Sequence, residues 1–228
     1  MNAANPAPFG PPSGDPLCNF PRALTKLRTV WMQFTYPFLS FGAGVSIHHS
    51  CSISRPACRH ISLGNSIYLG EDVWLNVVLD DKSSTPKLDL GEGCKIGRRS
   101  VLSVRNHIRL EPDVLLAPGV LIMDHNHEYR DPRVAIHAQG VTRGGSITIG
   151  RNSWIGYGAV ICSGDRDLSL GRNSVVGANS VVTQSFPPFS VIAGNPARLV
   201  RYYDEDSGEW RRVQNIPESS CVGKVSEK

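Results

Sequence analysis

The chain has 228 residues, 40% of them hydrophobic, with 24 basic and 20 acidic side chains and a formal net charge of +4. That length and composition suit a single globular domain, and no apolar run reaches the roughly 20 residues a membrane-spanning helix needs. The charge is mild and the aromatics are not interleaved with a basic stripe, which excludes a nucleic-acid surface and slightly favours small anionic ligands.

Residues 1–16, MNAANPAPFGPPSGDP, read as a flexible tail rich in Pro, Gly, Ala and Asn. They lack a basic start followed by an apolar core, so a cytoplasmic protein is expected rather than a secreted one. The six cysteines, at 18, 51, 58, 94, 162 and 221, form no CxxC pair. Reduced thiols are expected, and no thiolate metal site. Residues 17–40 read as a capping segment. Within it, 20–38 carries Leu24, Leu27, Val30, Trp31 and Phe34 three and four apart, with Arg22, Lys26 and Arg28 on other faces. That spacing predicts a short helix ended by Pro37. Its expected role is to cover the first repeat; the alternative is peripheral contact with a membrane surface.

From Phe41 to near Phe186 a large apolar residue recurs every sixth position in six groups of three: Phe41, Ile47, Ile53; Leu63, Leu69, Leu75; Leu90, Ile96, Leu102; Leu110, Leu116, Ile122; Ile149, Ile155, Ile161; Leu170, Val176, Val182. A period of six fits neither a helix nor an alternating strand and marks a solenoid. Three short strands and three turns make one triangular coil, with the large residue inward and a small one, such as Val73, Cys94 or Ser174, filling the corner four positions on. Glycine follows nine of the eighteen large residues, where it is expected to free the backbone for the turn. Six coils at roughly 4.8 Å each give a prism about 29 Å tall. Insertions at 54–62, 76–89, 103–109, 123–148 and 162–169 become surface loops. The longest, 123–148, shows no internal periodicity and contains Asp124-His125-Asn126-His127. Beyond the β-helix domain at 41–186 lies a C-terminal extension, 187–228. There Gly194-Asn195-Pro196 predicts a turn and 198–213 a short terminal helix or strand–helix element.

The repeat block, the loop LIMDHNHEYRDP and the closing segment SVVTQSFPPFSVIAGNPARLVR together resemble the hexapeptide-repeat acyltransferases, most closely the galactoside, maltose and exopolysaccharide O-acetyltransferases. The resemblance covers about Phe41 to Val200. It implies an all-β, left-handed parallel β-helix with short N- and C-terminal helical appendages; the beat itself carries no handedness. It also implies a homotrimer with active sites between neighbouring prisms. The reaction implied is acetyl transfer from acetyl-CoA to a hydroxyl of a sugar or glycan. N-acylation of an amino sugar, acetylation of a xenobiotic hydroxyl and a non-catalytic assembly module are the alternatives.

The resemblance places the general base at His125. The chemistry agrees: an alcohol attacks a thioester slowly unless a base takes its proton, and an ordinary imidazole titrates near pH 6.5. His127 is assigned a supporting role, and Asn76 with Asp80 or Asp81 the acceptor. Asn76 has a structural alternative, a left-handed turn. For coenzyme A the resemblance points to Trp154, Tyr157, Gly158, Ala178 and Thr183. The next residue, Gln184, stands where the family is usually basic, so Arg198 or Arg201 would meet the phosphates. The turn at 163–170 is longer than the family's, and Arg166 there is a further phosphate candidate. A three-histidine metal site of the γ-carbonic-anhydrase kind would need His107 beside His125 and His127, whose spacing argues against it. No metal is expected.

Overall fold

The computed structural model describes residues 19–79 and 87–213. The tail at 1–16, Asp80, Asp81, Cys18 and Cys221 lie outside the described residues. Helix α1 (Asn19–Thr35) comes first. It stops ahead of Pro37, whose ring disfavours helical backbone at the residue before it. Six coils of three strands follow. They are β1 (Ser40–Phe41), β2 (Ser46–Ile47) and β3 (Ser52–Ile53); β4 (Ile61–Leu63), β5 (Tyr68–Leu69) and β6 (Trp74–Val77); and β7 (Lys87–Leu90), β8 (Lys95–Ile96) and β9 (Val101–Val104). The upper coils are β10 (His107–Leu110), β11 (Leu115–Leu116) and β12 (Leu121–Met123); β13 (Ser146–Ile149), β14 (Trp154–Ile155) and β15 (Val160–Cys162); and β16 (Leu168–Leu170), β17 (Val175–Val176) and β18 (Val181–Val182). Every third strand pairs in parallel, giving three sheets that form the walls of a left-handed parallel β-helix. The six-coil expectation holds.

The eighteen large residues stack inside the prism, all buried except Phe41, which is partly buried against the core. The corner serines tie one coil to the next: the Ser100 hydroxyl donates to the Ala117 carbonyl and Ser153 to that of Gly171, at 3.3 and 3.4 Å. Cys51 and Cys94 fill equivalent corners, and burial pushes each thiol up to about 11, so they serve as apolar filler.

The glycines after the large residues do a different job from the one expected. None of the nine has a positive φ. The left-handed residue falls three positions after the large one, at Gly44, Ser66, Asp72, Gly93, Arg99, Asp113, Gly119, Asn152, Gly158, Asn173 and Asn179. The glycines instead let coils approach: a Cβ on Gly150 would sit 2.4 Å from Arg172 N, and one on Gly97 2.5 Å from Ala117 C. Both neighbours are backbone and cannot step aside. Gly150→Ala is therefore expected to cost about 2 kcal/mol or more and to lower the thermal midpoint by several degrees. Asn152→Gly, at φ 55°, should be nearly neutral. Differential scanning calorimetry of the two variants checks the contrast.

Helix α1 lies against β2, but not through its apolar stripe. Met32 is wholly buried, Thr29 Oγ1 accepts the Ile47 N–H at 3.0 Å, and Arg28 donates to the carbonyls of His48, His49 and Cys51. Leu27, Trp31 and Phe34 face outward. No helix among the described residues is long and apolar enough to cross a membrane.

At the other end the C-terminal element is strand, not helix. After Phe186 bridges back to Leu170, β19 (Ser190–Gly194) adds a seventh parallel rung beside β17. The chain then reverses at Gly194-Asn195-Pro196 into antiparallel β20 (Ala197–Asp204) and β21 (Glu209–Arg212). Tyr203 packs between Phe189 and Trp210, with ring centroids 5.8 and 5.5 Å away, which holds this hairpin to the prism. The β-branched and aromatic residues Val200, Tyr202 and Tyr203 just after the Gly194-Asn195-Pro196 turn are the strand signal that the helical expectation overlooked.

Candidate active site

Asp124 and His125 follow β12, where the strand leaves the third sheet. Strand alternation puts Ile122 inward, Met123 outward and Asp124 inward, one position past the last regular residue. Asp124 is wholly buried. Its Oδ1 accepts the Arg105 backbone N–H at 2.8 Å and its Oδ2 that of Asn106 at 2.9 Å. The same Oδ1 lies 2.9 Å from His125 Nδ1. A carboxylate so placed can only accept, so the proton belongs on Nδ1 and Nε2 carries the lone pair. Nε2 has no hydrogen-bond partner among the described residues, and His125 itself is 5% exposed.

Three insertions meet behind this pair. From 103–109, Arg105 Nη1 and Asn106 Nδ2 donate to the Arg143 carbonyl at 2.6 and 2.8 Å. From 162–169, Asp165 accepts the Gly144 N–H and Asp167 that of Ser146, at 3.1 and 2.9 Å. The long 163–170 turn thus braces the return of the 123–148 loop, and Arg166 is exposed on it. Gly144 has φ 72°, and a Cβ there would meet Asp124 O at 2.5 Å. Loop 123–148 has more internal order than expected. Thr142 N donates to Asn126 O at 2.7 Å, His127 bridges antiparallel to Val141, and a single helical turn, α2 (Ile136–Gln139), lies at the far end. The His127 side chain is exposed.

The third sheet links two of the predicted residues to this corner. Asn76, Ser103, Met123 and Cys162 are successive partners in one outward-facing column, and Thr183 is next in register. Asn76 and Thr183 therefore each stand two coils from Met123, roughly 10 Å along the prism. Asn76 lies in β6 with extended backbone and donates from Nδ2 to Ser103 Oγ at 2.8 Å. Its left-handed-turn alternative is ruled out.

The remaining cofactor candidates divide. Tyr157 and Ala178 are exposed and stack on successive coils at the corner between the second and third sheets, joined by an Asn179 N to Tyr157 O bond of 2.8 Å. Gly158 there has φ 65°, a left-handed turn position that Asn152 and Asn179 fill elsewhere, and a Cβ on it would crowd Asn179 Oδ1. Trp154 is half exposed on the second sheet, in a ladder that runs through Val175 and Val191 to Arg201. Arg198 is exposed on the same β20. Within one chain, then, Trp154, Tyr157, Gly158 and Ala178 lie across the third sheet from His125 and are not gathered around it.

His107 stands apart, on the first sheet. Its Nε2 is 2.9 Å from Asp89 Oδ2, and Lys87 Nζ is 3.0 Å from the same oxygen. Burial alone would raise the Asp89 carboxyl, but the bonds from His107 and Lys87 prevail and hold it below the usual carboxylate range. No group of three or more His, Cys, Asp or Glu able to hold a metal occurs among the described residues. Sequence reasoning missed Asp124 as a site residue. The available signal was its phase: a carboxylate two positions after Ile122 falls where the repeat points inward.

No family model matches the chain. By sequence it is 28% identical over 160 residues to a protein of Mycobacterium tuberculosis named a probable acetyltransferase, covering 70% of this chain and 48% of that protein. It is also 28% identical over 173 residues to the Escherichia coli protein WbbJ, named for lipopolysaccharide-biosynthesis O-acetyl transfer, covering 73% of this chain and 86% of that one. The chain thus spans about half the length of the first relative and most of the second. Among solved structures it is similar to AntD, an N-acyltransferase from Bacillus cereus in complex with dTDP and 3-hydroxybutyryl-CoA. That likeness has a TM-score of 0.61 at 20% identity, over 80% of this chain and 89% of that one. The protein is a hexapeptide-repeat β-helix whose sequence relatives are named as acetyltransferases.

Proposed function

We propose that this chain is an acetyl-CoA-dependent O-acetyltransferase that modifies a hydroxyl of a sugar or glycan precursor. The observation that carries the proposal is the Asp124–His125 pair. A wholly buried carboxylate, anchored by two backbone N–H groups, fixes an imidazole with its basic nitrogen unpartnered. Burying such a pair is costly and adds little to a wall that neighbouring coils build from Val77 and Val104. This speaks against an inert assembly module.

His125 Nε2 takes the acceptor hydroxyl proton as that oxygen attacks the thioester carbonyl. The tetrahedral adduct then collapses, the carbon–sulfur bond breaks, and the imidazolium returns the proton to the departing coenzyme A sulfur. The acetyl ester and free coenzyme A are the products. Asn76, whose Oδ1 is not committed to Ser103, is suited to hold an acceptor hydroxyl. Trp154, Tyr157, Ala178 and Arg201 are suited to the donor.

Because those donor residues stand across the third sheet from His125, the reading includes a homotrimer, with coenzyme A held on a neighbouring prism's corner. The outward faces support it. The first sheet presents Ser62, Asp89, Arg109, Thr148 and Ser169, a face made for water, whereas the third presents Trp74, Val101, Leu121, Val160 and Val181. Acceptor-dependent thiol release from acetyl-CoA, measured against sugars, amino sugars and simple alcohols, tests the proposal. Release confined to hydroxyl acceptors supports O-transfer. Release only with amines moves the activity to N-acylation, and none with any acceptor overturns catalysis.

A further inference from the structure

We infer that the outward face of α1 docks the protein on an anionic lipid bilayer. The helix is attached the wrong way round for a cap. At 100° per residue, Phe20, Leu24, Leu27, Val30, Trp31 and Phe34 fall within an arc of about 120°. An amphipathic helix ordinarily buries that stripe, yet here Thr29, Met32 and Arg28 on the other side meet the first coil. Phe34 is 81% exposed, Phe20 71% and Leu27 69%. A shallow cavity of about 450 Å³, lined by Leu24, Leu27, Arg28, Trp31 and His49, opens beside the stripe.

Charge selects the occupant. From residue 16 to residue 70 the chain carries Arg22, Lys26, Arg28, Arg55 and Arg59 and not one Asp or Glu. A second copy offering the same face would bring like charges together. A bilayer with anionic headgroups complements both parts, since apolar side chains enter the acyl boundary while basic ones meet the phosphates. Trp31 and Phe34, an indole and a phenyl ring, suit that interface.

The test is sedimentation of the full chain with vesicles of phosphatidylcholine alone and of phosphatidylcholine mixed with phosphatidylglycerol. Binding is expected on the anionic vesicles, falling as salt rises. Leu27→Glu or Phe34→Glu should lower the partition coefficient at least about tenfold, and Lys26→Glu should weaken it on anionic vesicles alone. These positions are exposed, so thermal midpoints should stay put and a loss cannot be blamed on misfolding. Absence of binding to either vesicle overturns the inference. So does partitioning that none of the three substitutions changes. If Leu27→Glu lowers the mass seen by sedimentation velocity and the unsubstituted chain ignores vesicles, a second copy covers the stripe and the inference is likewise overturned.

Discussion

Replacing His125 with alanine is expected to cut acceptor-dependent coenzyme A release by about 10²–10⁴-fold, the range a positioned general base supplies. The loss should fall on turnover, with the KM for acetyl-CoA nearly unchanged, because the donor residues lie elsewhere. The fold should survive: His125 makes one side-chain bond, to Asp124, and its truncation leaves that carboxylate its two backbone donors. Steady-state kinetics with calorimetry of the same preparation separates the two effects. Full turnover in the variant would remove the imidazole from the mechanism. His127→Ala is the companion, and its exposed ring predicts a far smaller change.

Asp124→Ala should act on stability and chemistry at once. It strips the partners from the backbone N–H groups of buried Arg105 and partly buried Asn106 and leaves a void beneath the loop. A cost of about 3–5 kcal/mol is expected, readable in urea unfolding. Asp124→Asn separates the roles. It keeps the shape, but its amide nitrogen must face a donor, either the Asn106 N–H or the Arg105 N–H beside His125, and the negative charge that steadies the imidazolium is gone. Turnover should drop by about a hundredfold or more in a variant that still folds, with little change in acetyl-CoA KM. If Asp124→Asn folds and turns over normally, Asp124 is a structural brace only.

The periodic part of this molecule could be read before any coordinates because each coil repeats one physical demand. A large side chain fills the prism, so Ile96, Leu116, Ile155 and Val176 announce themselves at fixed spacing, and six groups of three become six coils. Positions answering to a neighbour's backbone were harder. Gly150 looks like a turn glycine in sequence, while the turn's left-handed residue is Asn152. Asn76 looked ambiguous for the same reason and resolves as strand. Helix α1 was found, but amphipathic spacing states only that a stripe exists, not which way it faces. Asp124 escaped notice because its role depends on Arg105 and Asn106, residues 19 and 18 positions away whose N–H groups converge only once the coils stack. The acceptor residues are the least legible, since loops carry no periodicity and their side chains answer to a partner.

A stack of parallel coils has an inherent hazard: its last rung is a template as good as any inside it, and identical molecules could add head to tail without limit. Here the chain doubles back through β20 and β21, so what meets an approaching molecule on that wall is an antiparallel ribbon bearing Arg201, Arg211 and Arg212 rather than a vacant parallel edge. The same hairpin that carries two of the proposed phosphate ligands thereby removes the bare parallel edge from the second-sheet wall.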